Sequence, residues 1–541
     1  MTDYFIGIDV GTGSARAGVF DRQGKLLAAA KRPITLWHEQ GSIVEQSGDE
    51  IWQAICVSVQ EAVMTAKVSA TNIIGIGFDA TCSLVAVKAD GTPVAIGPSG
   101  DPNRNIMVWM DHRAAGEAAE INDAHHAVLD YVGGRISPEM ETPKLLWLKR
   151  NRPEAFAEAD HFFDLADYLT WRATGSLARS VCTVTCKWTY LAHEKRWDES
   201  YFRSIGLGEL ADEGFRRIGT EIVDAGEPLA SGLLPEAAQE LGLEPSTAVG
   251  AALIDAHAGG VGTLAGESGG STDLKGRLAY IFGTSACSMA SSETSIFVDG
   301  VWGPYFSAMV PGLWLTEGGQ SAAGAAIDHL VTLHPALDKA RAAAATASLP
   351  LVPWLEREAQ RLSPDLTEVG RLAGGKHVVP EFLGNRSPLA DPDARALIDG
   401  LGLETDVDDL VSLYVAGLCG IGYGLRQLLD ALSEKGIAIS LIVASGGAAQ
   451  SPLVRQLLAD ATGVPVAAGD TPEPVLLGAA MLGARAAGSF GSLPEAMAAM
   501  SQPATTSEPA GREIAVLHDR RYKAFRILQD ADRAVRALFV D

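Results

Sequence analysis

Residues Asp9–Arg16, which read DVGTGSAR, connect two apolar runs, Tyr4–Val10 and Ala17–Phe20. Apolar runs of this length on either side of a short Gly-rich segment predict two β-strands joined by a tight loop. A third apolar run, Leu26–Ala29, follows the turn signal Asp21–Gly24 (DRQG). The chain therefore begins with a predicted meander of β-hairpins, in which DVGTGSAR forms the first turn.

The composition of this first turn suits an anion. Glycine allows the backbone to turn several N–H groups toward a bound phosphate, hydroxyl side chains add donors, and an arginine adds a fixed positive charge. Asp9, at the predicted strand end, is a candidate ligand for Mg²⁺, either directly or through water. The sequence thus predicts a phosphate loop, with a plain hairpin turn as the alternative. The candidate phosphate-binding residues are Gly11, Thr12, Gly13, Ser14 and Arg16.

The same order of strand, loop and strand is predicted past the middle of the chain. The small polar stretch at residues 267–272 (ESGGST) indicates a boundary or a surface loop. Apolar runs at Leu278–Phe282 and Met289–Ser291 then flank a second tight loop. The two loops share few residues, so the match alone carries little weight for a duplication. The second loop consists of Gly283, Thr284 and Ser285.

A third Gly-rich loop, Ser445–Pro452 (SGGAAQSP), follows the apolar run Leu441–Ala444 and precedes a predicted helix, Pro452–Ala461. Small residues at a strand-to-helix turn allow a flat ring or a ribose to lie against the backbone. A tight turn without a ligand is the alternative for this loop.

Two familiar nucleotide-binding motifs do not match. A Rossmann fingerprint needs a third glycine where Arg16 stands and a helix after it, whereas a strand and a turn are predicted there. The P-loop pattern GxxxxGK[ST] does not occur in the sequence. A phosphate loop between two antiparallel strands, present twice, is instead typical of actin-like ATPase domains.

Composition excludes several classes of protein. The chain has 541 residues, 47% of them hydrophobic and 20% charged, which indicates a globular protein with room for several domains. Lys and Arg number 43 against 67 Asp and Glu, a net charge of −24, so nucleic-acid phosphates would be repelled. No apolar run of about 18 residues predicts a membrane span, and MTDYFIGID at the start lacks the features of a signal peptide. We therefore expect neither nucleic acid nor membrane as a partner.

The six cysteines are scattered through the chain, which indicates reduced thiols and a cytoplasmic location. Cys182 and Cys186 are close in sequence, but no second Cys or His pair with zinc spacing lies nearby in the chain. We interpret them as small buried hydrophobic residues rather than metal ligands.

The order of the three loops and of several further motifs resembles the FGGY carbohydrate kinases, which transfer the γ-phosphate of ATP to a sugar or polyol. The resemblance extends over nearly the whole chain. Glu141 and Leu413 stand where the family commonly has smaller residues. These two departures affect the assignment to a subfamily more than the assignment to the family. The further motifs are Trp109–Arg113 (WMDHR), Lys144–Leu148 (KLLWL), Ile254–His257 (IDAH), Gly478–Ala480 (GAA) and a Gly-rich helix after Asp409.

The resemblance implies an α/β fold in which two actin-like ATPase (ribonuclease H-like) domains flank a cleft. Residues 1–266 would carry the sugar site, the first phosphate loop and the catalytic aspartate. Residues 267–541 would carry the second phosphate loop, the adenosine site and a C-terminal helix. ATP and Mg²⁺ are the implied cofactors, and closure of the cleft places a hinge near residues 259–270. The implied contacts to adenosine are Gly446, Gly447 and Gln450.

Asp255 matches the catalytic base of this family, although its residue type alone would favour a structural role. An alcohol is too weakly acidic to ionise beforehand, so the carboxylate takes its proton as the new P–O bond forms. Polar side chains must satisfy the sugar hydroxyls, because an unpaired buried polar group costs about 1–3 kcal/mol. The candidate sugar-binding residues are Thr81, Cys82, Asp111, Lys187, Asp255, Glu317 and Gln320.

Among members of the family, the DATCS, DHR, CK and DAH motifs are most similar to the ribulokinase-type branch. The resemblance therefore implies a kinase that takes a small-molecule sugar and ATP and phosphorylates the terminal hydroxyl of a ketopentose, with D-ribulose as the first choice. L-Ribulose, D-xylulose and ribitol stay open as substrates, and a non-kinase actin-like ATPase is the alternative from another class. A homodimer is compatible with the sequence.

Overall fold

The computed structural model describes residues 3–39, 41–265, 273–469, 471–500 and 504–539. These residues form a mixed α/β structure built on two large sheets of five and seven strands, with a third sheet of five short strands and two two-stranded sheets. The strands are β1 Tyr4–Gly11, β2 Ser14–Asp21, β3 Leu26–Pro33, β4 Trp37–His38, β5 Val44–Gln46, β6 Ile73–Ala80, β7 Leu84–Val87, β8 Ile106–Met107, β9 His161–Asp164, β10 Arg179–Ser180, β11 Ile222–Val223, β12 Ala248–Ile254, β13 Arg277–Phe282, β14 Ala286–Ser292, β15 Trp302–Phe306, β16 Trp314–Gln320, β17 His377–Val379, β18 Leu397–Asp399, β19 Leu441–Ser445, β20 Val466–Gly469 and β21 Ala504–Ser507.

Helices cover the faces and ends of the sheets. They are α1 Gly48–Ala66, α2 Ala115–Asp123, α3 Glu141–Asn151, α4 Pro153–Glu158, α5 Leu165–Thr174, α6 Val181–Trp188, α7 Glu199–Ser204, α8 Gly208–Asp212, α9 Pro235–Leu241, α10 Asp255–Ala265, α11 Gly324–Thr332, α12 Leu337–Thr346, α13 Leu351–Leu362, α14 Val407–Glu434, α15 Pro452–Thr462, α16 Pro474–Ala486, α17 Leu493–Ala499 and α18 Arg512–Ala537. No helix of the described ranges is both long enough and apolar enough to cross a membrane.

The first sheet has the strand order β12-β6-β1-β2-β3. β1 is antiparallel to β2 and β2 to β3, which confirms the predicted meander. β6 runs parallel to β1, and β12 runs parallel to β6. Because parallel strands end at the same edge of a sheet, Asp9, Asp79 and Asp255 are brought together where β1, β6 and β12 end.

The second large sheet, β15-β16-β14-β13-β19-β20-β21, repeats this arrangement. β13 is antiparallel to β14 and β14 to β16, whereas β19 is parallel to both β13 and β20. The strands β16-β14-β13-β19-β20 therefore have the order and directions of β3-β2-β1-β6-β12. The first phosphate loop connects β1 to β2, and the second connects β13 to β14, so the two loops occupy equivalent places in the two sheets.

Helix α16 packs directly on the first sheet, although it comes late in the chain. A Cβ on Gly7 would lie 1.9 Å from the carbonyl oxygen of Leu476, and one on Gly77 would lie 1.9 Å from that of Ala479. Strand and helix backbones can approach this closely only where a residue has no side chain. The glycines of β1 and β6 thus fix α16 against the sheet whose edge carries the three aspartates.

The described part of the predicted hinge is a packed helix rather than a flexible connection. Residues 259–265 continue α10, while residues 266–270 and the predicted boundary between residues 266 and 267 lie outside the described residues. A Cβ on Gly262 would lie 1.9 Å from the carbonyl oxygen of Pro474 at the start of α16. Because Gly262 has no side chain, α10 and α16 can pack closely at this point.

Local contacts fix several other elements. Ser47 caps α1 by accepting a hydrogen bond from the N–H of Glu50. The glycines of α14 permit close approach: a Cβ on Gly420 would lie 2.3 Å from the carbonyl oxygen of Val378. Ala504–Ser507 form β21, which pairs antiparallel with β20.

Candidate active site

Three carboxylates meet at the edge of the first sheet. Asp9 and Asp79 are paired in register on β1 and β6, and Asp255 begins α10 directly after β12. Burial raises the pKa of Asp79 well above its usual value, and the neighbouring Asp9 and Asp255 raise it further. Neither oxygen of the Asp79 carboxylate receives a hydrogen bond from a donor group of the described residues. A cation or a proton is needed to compensate for this buried charge.

The Asp255 carboxylate lines the cavity and has an environment that suits a proton acceptor. The backbone N–H of Ala256 donates a hydrogen bond of 2.7 Å to its carboxylate. Burial raises the pKa of Asp255 to about 6, with a further contribution from the charge of Asp9. A carboxylate with this pKa is still ionised at neutral pH and accepts a proton more readily than an ordinary one.

The first loop is the tight β1–β2 turn, in which Gly11 ends one strand, Thr12 and Gly13 form the turn, and Ser14 begins the next strand. The indole N–H of Trp109 donates to the hydroxyl of Thr12 at 3.0 Å. Arg16 turns inward, where its guanidinium pairs with Asp9 and, at 3.0 Å, with Glu473.

The second loop is held from behind by the start of α11. The backbone N–H of Gly324 donates to the carbonyl of Gly283 at 3.0 Å, and those of Ala323 and Ala325 donate to the carbonyl of Thr284 at 2.9 and 3.1 Å. These bonds fix the loop against α11, and the next residue, Ser285, faces a cavity that also contains Thr12.

This cavity, with a volume of about 230 Å³, brings the two loops and the catalytic candidate together. One side comes from the edge of the first sheet, and the other comes from β14, β15 and β16 of the second sheet. A pocket of this kind, with a few converging polar groups, is typical of a small-molecule site. The sequence-predicted residues that line it are Thr12, Thr81, Cys82, Lys187, Asp255, Ser285 and Glu317.

Charged groups in the cavity wall pair with one another. Burial alone would lower the pKa of Lys187, but its acidic neighbours, Cys82 and Glu317 first among them, raise the pKa well above its usual value. The ring Nε2–H of His257 donates to Glu317 at 3.2 Å. This bond and the charge of His257 hold the pKa of Glu317 below its usual value, against the effect of burial. The wall thus offers an ammonium group and a carboxylate to a polyhydroxylated ligand.

Two sequence-predicted sugar residues do not reach the cavity. Asp111 is fully buried and accepts hydrogen bonds from the backbone N–H of Val44 at 2.7 Å and from the guanidinium of Arg113. Gln320 accepts a hydrogen bond from the hydroxyl of Tyr280 at 2.8 Å and donates one to the carbonyl of Ile421 at 3.0 Å. Their polar atoms therefore have partners inside the protein, and contact of Asp111 and Gln320 with the sugar stays a prediction.

The cavity contains residues that sequence reasoning missed. Glu139, Trp302 and Arg386 line its wall, and the guanidinium carbon of Arg386 lies 5.9 Å from the centre of the Trp302 ring. Glu139 lies shortly before the Lys144–Leu148 motif, and this nearby motif was the only feature of the sequence that could have pointed to Glu139. Arg386 comes from a loop far along the chain, so only the folded structure brings it to this wall.

A second and more apolar cavity, of about 520 Å³, lies at the third Gly-rich loop. Gly447 and Gln450 line it, together with Phe282 at the end of β13. Gly446 precedes them with a φ of 91°, a conformation that favours glycine, and a Cβ there would lie 2.4 Å from the carbonyl oxygen of Phe282. Helix α13 closes one side of this cavity through Glu356.

The model of the FGGY family of carbohydrate kinases, N-terminal domain, matches residues 4–262, and that of the C-terminal domain matches residues 278–487. The chain belongs to the FGGY family of carbohydrate kinases. It is 44% identical to the human FGGY carbohydrate kinase domain-containing protein over 99% of this chain and 98% of that protein. It is 38% identical to the D-ribulokinase of Saccharomyces cerevisiae over 90% and 72% of the two chains.

Among solved structures, the xylulose kinase from Rhodospirillum rubrum has a TM-score of 0.78 at 21% identity, covering 98% of this chain and 99% of that one. The likeness confirms the actin-like ATPase fold. This FGGY member is therefore an ATP-dependent kinase that acts on a small-molecule sugar, which sets aside the alternative of an ATPase without kinase activity.

Proposed function

We propose that this kinase phosphorylates the terminal hydroxyl of D-ribulose to give D-ribulose 5-phosphate. The observation that carries the proposal is the single cavity shared by Thr12, Ser285 and Asp255, one from each phosphate loop and one from the carboxylate edge. The choice of sugar is supported by the yeast relative, which is named a D-ribulokinase. L-Ribulose, D-xylulose and ribitol are the competing substrates.

In the proposed reaction, Asp255 accepts the proton of the attacking hydroxyl while the γ-phosphoryl group passes from ATP to the sugar oxygen. Phosphoryl transfer depends mainly on alignment and charge stabilisation, so the rest of the site positions the reactants. Gly11, Thr12, Gly13 and Ser14 would bind the phosphates from one side, and the loop residues Gly283, Thr284 and Ser285 would bind them from the other. Arg16, which is paired with Asp9, would add positive charge near the phosphates bound by the first loop.

The carboxylate edge also fits a hard divalent cation. Asp9 and Asp79 provide oxygen ligands of the type that Mg²⁺ prefers. The unpartnered oxygens of Asp79 are the observation that supports the fit, because a buried carboxylate without a donor needs a compensating charge. A bound Mg²⁺ would neutralise charge on the transferring phosphates, and the two aspartates would hold it in place, directly or through water.

For the sugar, we propose contacts with Thr81, Cys82, Lys187 and Glu317, all of which line the cavity. Adenosine would occupy the apolar cavity at Gly447 and Gln450, with Gly446 forming the turn beside it. Residues 1–266 and 267–541 form the two proposed domains, and the matching strand order of the two large sheets supports this division.

A coupled assay of ADP release over D-ribulose, L-ribulose, D-xylulose and ribitol tests the substrate. We expect the highest kcat/KM with D-ribulose and phosphate on its terminal oxygen in the product. The Asp255→Asn variant should lose about 10²–10⁴-fold in kcat while still binding ATP. A higher kcat/KM with another sugar would overturn the substrate, and an active Asp255→Asn variant would overturn the base.

A further inference from the structure

Two cysteines and a histidine that are distant in sequence meet behind the cavity wall. Cys182 lies in the first turn of α6, Cys186 one turn later, and His257 in the first turn of α10. The sulfur of Cys182 is 3.0 Å from Nδ1 of His257. One ligand atom from each of the three residues lies within 4.8 Å of the other two, and all three side chains are buried. Both cysteines are buried, as the sequence predicted.

The other ring nitrogen of His257 is already oriented. Its Nε2–H donates to the carboxylate of Glu317 at 3.2 Å, which leaves Nδ1 facing the thiols. A histidine that binds a metal almost always donates its second ring N–H to a carboxylate or carbonyl, which fixes the ring and its tautomer. The His257 ring thus contacts the Glu317 carboxylate through Nε2 and the Cys182 thiol through Nδ1, as a metal-binding histidine contacts a carboxylate on one side and the metal on the other.

The surroundings of Cys182 favour its thiolate. The backbone N–H of Ile254 points to its sulfur at 3.5 Å. A thiolate is the form in which cysteine binds metal.

We propose that Cys182, Cys186 and His257 form a binding site for one thiophilic divalent cation of the zinc class. Two thiolates and a neutral imidazole balance the charge of such an ion, so any thiol protons and the Nδ1 proton of His257 leave to solvent when it binds, while Nε2–H keeps its hydrogen bond to Glu317. The site is separate from the proposed Mg²⁺ site, because sulfur and imidazole ligands select softer ions than carboxylates do.

The proposed ion would also organise the sugar side of the cavity. His257 and Glu317 both line the cavity. An ion on Nδ1 would fix the His257 ring, and the ring would then fix the Glu317 carboxylate through Nε2–H.

Cobalt provides a direct test, because Co²⁺ bound to thiolate gives a charge-transfer absorption that oxygen ligands do not give. The full-length protein is reduced, stripped of metal with a chelator and titrated with Co²⁺, then with Zn²⁺ to displace it. We expect one Co²⁺ per chain with thiolate charge-transfer absorption, which Zn²⁺ removes. Absence of that absorption in folded protein would overturn the proposal.

Variants locate the ion. Cys182→Ser and Cys186→Ser should each weaken the absorption and the binding, whereas Cys56→Ser, a buried cysteine on α1, should leave both unchanged. Glu317→Gln should lower the affinity by about 10–100-fold, as is usual for a partner of a metal-binding histidine. Circular dichroism checks that each variant is folded. Full absorption in Cys186→Ser, or two thiols that titrate only after reduction and so indicate a disulfide, would contradict the proposed site.

Discussion

Three aspartates at one sheet edge dominate the chemistry at the residue scale. Asp9 is compensated by Arg16, Asp79 has no donor among the residues described, and Asp255 begins a helix and faces the cavity. Their environments differ, so they can take different tasks: two suit a cation and one suits a proton. Burial and the charge of Asp9 raise the pKa of Asp255 to about 6, which suits a residue that accepts a proton near neutral pH.

The pH dependence follows from Asp255. A base must be ionised to accept the hydroxyl proton, and a pKa raised to about 6 means that it becomes protonated as the pH falls through that value. We expect kcat/KM for the sugar to be constant above this region and to fall below it. Steady-state kinetics between about pH 5 and 8 measures this fall in kcat/KM, since such a group titrates in that range. A profile that stays flat down to about pH 5 would remove Asp255 as the base.

Lys187 gives a second prediction at this scale. Its ammonium group lines the cavity, and Lys187→Met keeps the apolar stem while removing the charge. A hydrogen bond to a charged group contributes about 1.5–3 kcal/mol, so we expect KM for the sugar to rise about 10–100-fold. KM for ATP should change little. Lys88→Met, in which an exposed pair with Glu158 is lost, is the matched control; equal effects of the two variants would refute the role.

The sequence predicts the residues of this site unevenly. Asp9 and Thr12 lie at a strand end and in a tight loop, where local sequence pattern and family motif agree, whereas Asp255 is predicted from the family motif alone. Asp111 and Gln320 lie outside this cavity, and the sequence could not show this because their partners Val44 and Tyr280 are brought to them by tertiary contacts. The pairing of His257 with the cysteines was missed for the same reason, since sequence spacing says nothing about two helices that meet.

At the scale of elements, the equivalent hairpins β1–β2 and β13–β14 carry the two phosphate loops. The apolar runs and turn residues predict these hairpins, since they depend on local pattern. The packing of α16 on the first sheet could not be predicted, because the glycines of β1 and β6 do not indicate which distant helix approaches them. Its effect is to tie the carboxylate edge to residues late in the chain.

The contact between β6 and α16 can be tested by adding one methyl group. Gly77→Ala places a Cβ 1.9 Å from the carbonyl oxygen of Ala479, so the helix must move. Overpacking of this kind costs about 1–3 kcal/mol, and we expect a lower midpoint of thermal unfolding. Gly116→Ala, where nothing lies within 4 Å of the added Cβ, is the control and should not lower it. A Gly77→Ala variant as stable as the control would contradict the packing.

At the scale of the whole molecule, the site is shared between the two large sheets. Thr12 and Asp255 belong to one, while Ser285 and Glu317 belong to the other, so a change in the angle between the sheets opens or closes the cavity. Water in the cavity would compete with the sugar for the phosphoryl group, which favours closure when both substrates are bound.

Small-angle X-ray scattering measures this closure in solution. We expect the radius of gyration to fall when D-ribulose and a non-hydrolysable ATP analogue are both present, and to fall less with either alone. Asp255→Asn, which keeps both binding surfaces, should close in the same way. An unchanged radius with both ligands at saturating concentration would show that the cavity works without closure.

A crystal structure with D-ribulose, Mg²⁺ and a non-hydrolysable ATP analogue tests the central claim most directly. We predict that the γ-phosphate lies between the β1–β2 and β13–β14 turns, in contact with Thr12 and Ser285, and that the terminal hydroxyl of the sugar faces Asp255. A γ-phosphate bound away from either turn, or a sugar whose terminal hydroxyl faces another residue, would contradict the account.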